Sequence, residues 1–178
     1  MRPRQDPLFS APALPEGFVY LESFLPAAEE KDLLTTLEAL PFEAARYREY
    51  TARRRIVMYE PELPPFLQPL RGRIAQWMAI DPGELRHALI NEFRPGTPLG
   101  WHRDAPHYGR VAGVSLGGWA RMRLRRYPKG RDKPIALELA PRSAYRMEGA
   151  ARWQWQHSIS PTPELRYSIT FRTLRQPD

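Results

Sequence analysis

From His87 onward, proline and glycine cut the chain into short runs at 87–94, 112–117, 119–126, 135–139, 144–148, 154–160 and 166–173. Each run is shorter than an average helix and rich in residues that suit strands. Segments of this kind bury their apolar side chains only by pairing with one another. That restricts this half of the chain to an all-β sandwich, barrel or jelly roll. The first half reads differently. Phe18–Leu21 suits a short strand, and Ala27–Leu40 carries Leu33, Leu34, Leu37 and Leu40 at helical spacing behind Pro26. Residues 46–60 read as a strand or hairpin, and Leu63–Ile80 as a second helix after Pro61, Pro64 and Pro65. Residues 1–15, with Pro3, Pro7, Pro12 and Pro15, are expected to form an extended leader before one domain over 16–178. The expected class is α+β: a barrel core over roughly 85–175, with the N-terminal helices packed on one sheet.

Composition narrows the chemistry. There is no cysteine, so disulfides, thiolate zinc sites and iron–sulfur clusters are excluded. Any metal must be held by His, Asp or Glu. No apolar run is long enough to span a bilayer, and the segment Met1-Arg-Pro-Arg-Gln-Asp6 is followed by none that would make a signal peptide. A cytoplasmic, monomeric protein without a membrane partner is expected. The net charge is +7, and only Lys31, Lys129 and Lys133 among the 27 basic residues are lysines. Such a chain favours polyanionic partners, although arginine excess alone does not specify nucleic acid.

Histidine occurs four times, at His87, His102, His107 and His157. In Trp101-His-Arg-Asp104, extended backbone turns His102 and Asp104 to the same side. A third ligand from a distant strand would complete two histidines and one carboxylate, the facial set of non-haem iron(II) oxygenases. His157, among Trp153 and Trp155, is a candidate, though a buried histidine among tryptophans is also an ordinary core residue. The last strand alternates strictly. Arg166, Ser168, Thr170 and Arg172 share one face, and Tyr167, Ile169 and Phe171 the other. Two arginines inside a barrel need anions, and a guanidinium grips a carboxylate in bidentate fashion. Six residues of strand span about 20 Å, so the two cannot grip one carboxylate. One would meet a ligand's distal carboxylate, the other the metal end near Asp104.

In this order, these stretches resemble the AlkB-like family of iron(II)/2-oxoglutarate dioxygenases. The matching segments are Ala88-Leu-Ile-Asn-Glu-Phe-Arg-Pro-Gly96, His102-x-Asp104, Val114-Ser-Leu-Gly117, Leu139-Ala-Pro-Arg-Ser143, Arg152-x4-His157 and Arg166-x5-Arg172. The resemblance implies a double-stranded β-helix, with iron on His102, Asp104 and His157. It implies Arg166 on the distal carboxylate of 2-oxoglutarate, with Asn91, Ser168 and Arg172 completing the cosubstrate site. Fe(II), 2-oxoglutarate and O2 are the implied cofactors, with ascorbate as reductant in vitro. Succinate and carbon dioxide are the implied by-products, and an N-methyl substrate would lose formaldehyde. The chain departs from the bacterial repair enzyme of the family. Phe93 stands where that enzyme has tyrosine, Ser168 where it has asparagine, and Pro106 where it has a base-reading aspartate. The Arg152-x4-His157 segment is more similar to a transfer-RNA-modifying branch.

The expected partner is an alkylated nucleic acid, single-stranded or with a flipped base. Candidate substrate residues are Tyr50, Arg53, Arg54, Arg55 and Tyr59 ahead of the barrel, and His107 and Tyr108 beyond the metal pair. Arg121, Arg123 and Arg125 alternate on one strand face as a second basic region. A same-fold oxygenase of protein, lipid or small molecule, and a non-catalytic basic binding module, are the competing readings.

Overall fold

The computed structural model describes residues 13–46 and 51–176. Among the described residues, eleven strands form two antiparallel sheets. The major sheet holds β1 (Phe18–Leu21), β2 (Glu43–Arg46), β3 (Thr51–Tyr59), β4 (Leu85–Phe93), β6 (Tyr108–Gly117), β9 (Ala144–Met147) and β11 (Arg166–Leu174), in the order β1-β9-β6-β11-β4-β3-β2. The minor sheet holds β5 (Leu99–His102), β7 (Ala120–Arg126), β8 (Ile135–Leu139) and β10 (Trp155–Ile159), in the order β5-β10-β7-β8. This is the expected double-stranded β-helix.

The helices α1 (Ala27–Glu38) and α2 (Gln68–Met78) cover the outer face of the major sheet. Leu37, Leu70, Ile74 and Met78 pack there against Ile90, Val114, Tyr167, Ile169 and Phe171. Full burial of each such side chain stabilises by about 1.5–3 kcal/mol, and this layer makes the major sheet a rigid platform. A second core, with Val111, Met122, Leu124, Leu139 and Ile159, lies between the sheets. β11 runs between β4 and β6, so its residues 166–173 are buried on both faces. Its apolar face meets the helices, and its polar face looks into the space between the sheets.

The expected second helix starts later than Leu63. A single 3-10 turn, Pro65–Leu67, precedes α2, and Ala79 closes it at φ 52°. The strand β5 and the short helix α3 (Gly149–Trp153) are additional elements. Both are too short to carry a periodic signal. Most of the expected leader, 1–12, lies outside the described residues. Among the described residues, no helix is long and apolar enough to cross a membrane.

Candidate active site

A cavity of about 520 Å³ opens between the two sheets. Strand alternation decides what lines it. β11 contributes Arg166, Ser168, Thr170 and Arg172, and β4 contributes His87, Leu89, Asn91 and Phe93. β5 and β10 are paired with His102 opposite His157, so both imidazoles enter from the minor sheet. Their ring centroids are 4.2 Å apart. One ligand atom each from His102, Asp104 and His157 lies within 4.8 Å of the others.

The polar atoms of this cluster are poised for a cation. Nδ1 of His102 is 2.8 Å from the Gly100 carbonyl, which only accepts, so Nδ1 carries the proton and Nε2 keeps its lone pair. The Asp104 side chain is 3% exposed, and its Oδ1 accepts from Arg172 Nε at 2.6 Å. Its Oδ2 is buried without a hydrogen-bond partner and lies 3.8 Å from His157 Nε2. A buried carboxylate oxygen left unpaired is costly unless something positive meets it. The donor set therefore fits a divalent ion of the borderline, nitrogen- and oxygen-binding kind. Burial lowers the His102 imidazole, and burial together with His102 pushes His157 down to about 3. Both are neutral at neutral pH, the state in which an imidazole can ligate a metal. Burial opposes the charge of Asp104, but Arg172 and the two histidines outweigh it and hold the carboxyl far below its ordinary range.

Arg166 is the second feature. It is 2% exposed, and burial lowers its guanidinium to about 10. Its Nε donates to Ser115 Oγ at 2.9 Å, and the guanidinium lies 5.0 Å from the centre of the Phe93 ring. Among the described residues no carboxylate pairs with it. Asn91 lies beside it on the wall, donating to Ser168 Oγ at 3.2 Å and accepting from Arg54 Nη1 at 2.5 Å. An anionic group of a ligand would complete this end of the cavity, as a cation would complete the end at His102, Asp104 and His157.

The loop between β5 and β6 carries Asp104; Arg172 holds its carboxylate, and a second arginine holds its backbone. Arg152 of α3 is buried. It donates to the carbonyls of Gly109, Ala105 and Tyr108, each at 2.8 Å, and to that of Asp104 at 3.3 Å.

The model of the 2OG-Fe(II) oxygenase superfamily matches residues 35–172. The chain belongs to that superfamily. Within it, the chain is AlkB-like. It is 27% identical to protein L905 of Acanthamoeba polyphaga mimivirus, over 89% of this chain and 85% of that protein. It is 28% identical to the alkylated DNA repair protein ALKBH8 homolog of Arabidopsis thaliana, covering 80% of this chain but 50% of that protein. It is 24% identical to the tRNA (carboxymethyluridine(34)-5-O)-methyltransferase alkbh8 of Xenopus tropicalis, covering 85% of this chain and 26% of that protein. Among solved structures, OsALKBH1 superposes with a TM-score of 0.69 at 17% identity, over 90% of this chain and all 100% of that one. A Pseudomonas putida prolyl-4-hydroxylase superposes with a TM-score of 0.66 at 16% identity, over 90% and 94% of the two chains. The protein is thus a dioxygenase that works with Fe(II), 2-oxoglutarate and O2.

In this AlkB-like oxygenase the arginine triple of β3 is split by alternation. Arg53 is exposed, Arg54 lines the cavity, and Arg55 pairs with Glu92 at 2.7 Å on the helix side. Tyr59 does not face the cavity. It packs edge-on against Phe66 in the helix-covered core, because it shares parity with Arg55 and not with Arg54. Tyr50 lies outside the described residues. His107 and Tyr108 both line the cavity, their rings 4.1 Å apart. Three contributors carried no role in the sequence reading: Ser115, His87 and Arg152. His87 accepts at Nδ1 from Arg172 Nη1 at 3.2 Å. Its place two and four residues before Leu89 and Asn91 on one face of β4 was the available signal.

Proposed function

We propose that this oxygenase removes alkyl groups from N-alkylated bases of nucleic acid, with His102, Asp104 and His157 holding Fe(II) and Arg166 holding the distal carboxylate of 2-oxoglutarate. The observation that carries the reading is the charge of the cavity wall. Arg46, Arg54, Arg103, Arg166 and Arg172 line it, against Asp104 as the sole carboxylate among the described lining residues. Arg172 is occupied by Asp104, and the deep Arg166 has no acid, which suits a small dicarboxylate. Arg46 and Arg103 are exposed at the rim, where phosphates would meet them.

Each residue has a distinct task. Arg172 holds Oδ1 of Asp104 and leaves Oδ2 as the oxygen that would meet the ion. The Gly100 carbonyl fixes His102 in the ligating tautomer. Asn91 and Ser168 offer polar contacts along the cosubstrate path, and the Phe93 ring backs the guanidinium of Arg166 while lacking a hydroxyl. When bound, the ion and cosubstrate supply the oxidising power that turns a C–H bond into C–OH. A hydroxylated N-methyl group then leaves as formaldehyde. The Arabidopsis and Xenopus relatives, named for DNA repair and for tRNA modification, support a nucleic-acid substrate.

The test is mass spectrometry of single-stranded oligonucleotides carrying 1-methyladenine or 3-methylcytosine, and of bulk tRNA. Each is incubated with the protein, iron(II), ascorbate and 2-oxoglutarate, with Asp104→Ala as control. Loss of 14 mass units (about one CH2) per modified base by the wild type alone is expected. Succinate release with no change in any nucleic acid would refute the substrate, and Asp104→Ala turning over at the wild-type rate would refute the ligand set.

A further inference from the structure

The two strands that carry the paired histidines have a second face. On β5, His102 points into the cavity, so Trp101 lies on the other face, and Arg103, just past the strand's end, sits at the cavity rim and turns to Tyr127. On β10, Gln156 and Ser158 lie on the outside, flanking His157. On β7, which pairs with β10 on the far side, Arg121, Arg123 and Arg125 share that outer face.

The arginine side chains cross this face in one direction. Arg123 Nε donates to Ser158 Oγ at 3.2 Å, and Arg125 Nε to Gln156 Oε1 at 2.9 Å. Both thereby lie flat over β10 and reach the Trp101 ring of β5, at 5.0 and 4.3 Å from its centre. Beside them, Arg103 stacks on Tyr127 at 3.9 Å, and Arg126 lies 5.2 Å from the Trp155 ring. Among the described residues, none of these four guanidiniums has a carboxylate partner. Arg121, at the β8 side, is different, being paired with Glu138 at 2.5 Å. The unneutralised charges thus converge on β5, and Trp101 and Arg103 also line the mouth of the cavity.

We infer that the outer face of the minor sheet is a docking track for single-stranded nucleic acid, DNA or RNA, that leads over β5 to the cavity mouth. This deepens the proposed function and rests on its nucleic-acid reading. The occupant follows from charge and ring chemistry together. Four arginines free of acids call for a polyanion. Each guanidinium lies over an aromatic ring and has five N–H donors, more than its ring or side-chain contacts use, to offer to phosphate oxygens. Tyr127, 46% exposed, offers a base a ring to stack on. An acidic peptide would use the arginines but gain little from the rings.

The test is fluorescence anisotropy with labelled dT12 and rU12 as probes, using the full chain without metal at several salt concentrations. Arg123→Gln/Arg125→Gln is compared with Arg71→Gln/Arg86→Gln, which removes equal charge elsewhere. Arg103→Glu/Arg126→Glu, at exposed positions, is a second track variant, and thermal melting confirms that each protein is folded. The track variants are expected to bind at least about 10-fold more weakly. The glutamine pair is expected to flatten the dependence of log K on log salt by about 1.4, or about 0.7 for each lost phosphate contact, while the comparison pair leaves the slope unchanged. Tighter binding of rU12 or of dT12 identifies the polymer within the same chemistry. Wild-type affinity and slope in both track variants would overturn the track and leave the nucleic-acid reading standing. No binding of either probe by the wild type would overturn both. Polyglutamate displacing the probes as well as unlabelled dT12 does would replace the nucleic-acid track with a surface for acidic proteins.

Discussion

A guanidinium sealed into a protein wall costs stability unless an anion meets it. Arg166 has a serine, a phenyl ring and no acid, so the metal-free, cosubstrate-free protein carries that cost. Arg166→Met keeps the length and removes the charge. Its ligand-free form is expected to melt at or above the wild-type temperature, while 2-oxoglutarate no longer stabilises it. Calorimetry with and without 2-oxoglutarate checks this, and a variant still stabilised like the wild type would remove Arg166 from the cosubstrate site. His87 gives a pH prediction with a definite sign. Burial, then the charge of Arg172, push its imidazole from 6.5 to about 4. Between those values the unfolded chain binds a proton that the folded protein refuses, so stability is lost as pH falls from 6.5 to 4. The loss from one such group is at most about 1.4 kcal/mol per pH unit. Urea unfolding of metal-free His87→Gln should show a shallower decline across that window, and an unchanged decline would contradict the assignment.

At the scale of elements, five residues of α3 fix the loop that carries Asp104. Arg152 donates to four carbonyls of that loop and its end. Arg152→Gln is expected to lower Mn(II) affinity about 10–100-fold, the usual cost of losing a group that orients a ligand. Titration calorimetry measures it, and unaltered affinity would mean that the loop holds its shape unaided. This role was not readable in the sequence, where Arg152 stood only as part of a motif, because its acceptors are backbone atoms more than forty positions away. β11 was readable. Its strict alternation of arginine, serine and threonine with tyrosine, isoleucine and phenylalanine separates the cavity from the helix-covered core. β3 was not. Ile56 and Met58 follow Arg54 into the cavity, whereas Tyr59 follows Arg55 to the helices. Both faces are apolar beyond the arginines, so nothing local says which arginine turns inward. The resemblance named His102, Asp104 and His157 as a set, and the structure brings them together, but the tautomer of His102 depends on the Gly100 carbonyl of its own strand, which no motif signals.

At the scale of the whole molecule, the site joins two sheets of unequal support. Arg166 and Arg172 belong to the major sheet, which the helices brace on its outer face. His102 and His157 belong to the minor sheet, and β5 is its edge strand, paired only with β10. The Arg172–Asp104 pair already ties the loop after β5 to β11. A bound ion would add His102 and His157 to that tie, and 2-oxoglutarate reaching from the ion to Arg166 would add a second one. Edge strands with few contacts open first in the native state. Residues 99–104 are therefore expected to exchange amide hydrogens faster than β11 in the ligand-free protein. Mn(II) and 2-oxoglutarate at 100 times their dissociation constants each stabilise by about 2.7 kcal/mol, so an opening that releases both should slow by about 10,000-fold. Asp104→Ala should lose this protection while β11 keeps its own. Hydrogen exchange followed by mass spectrometry reads both segments in one sample. Equal protection of 99–104 with and without ligands would mean that the two sheets are locked together before the site is filled.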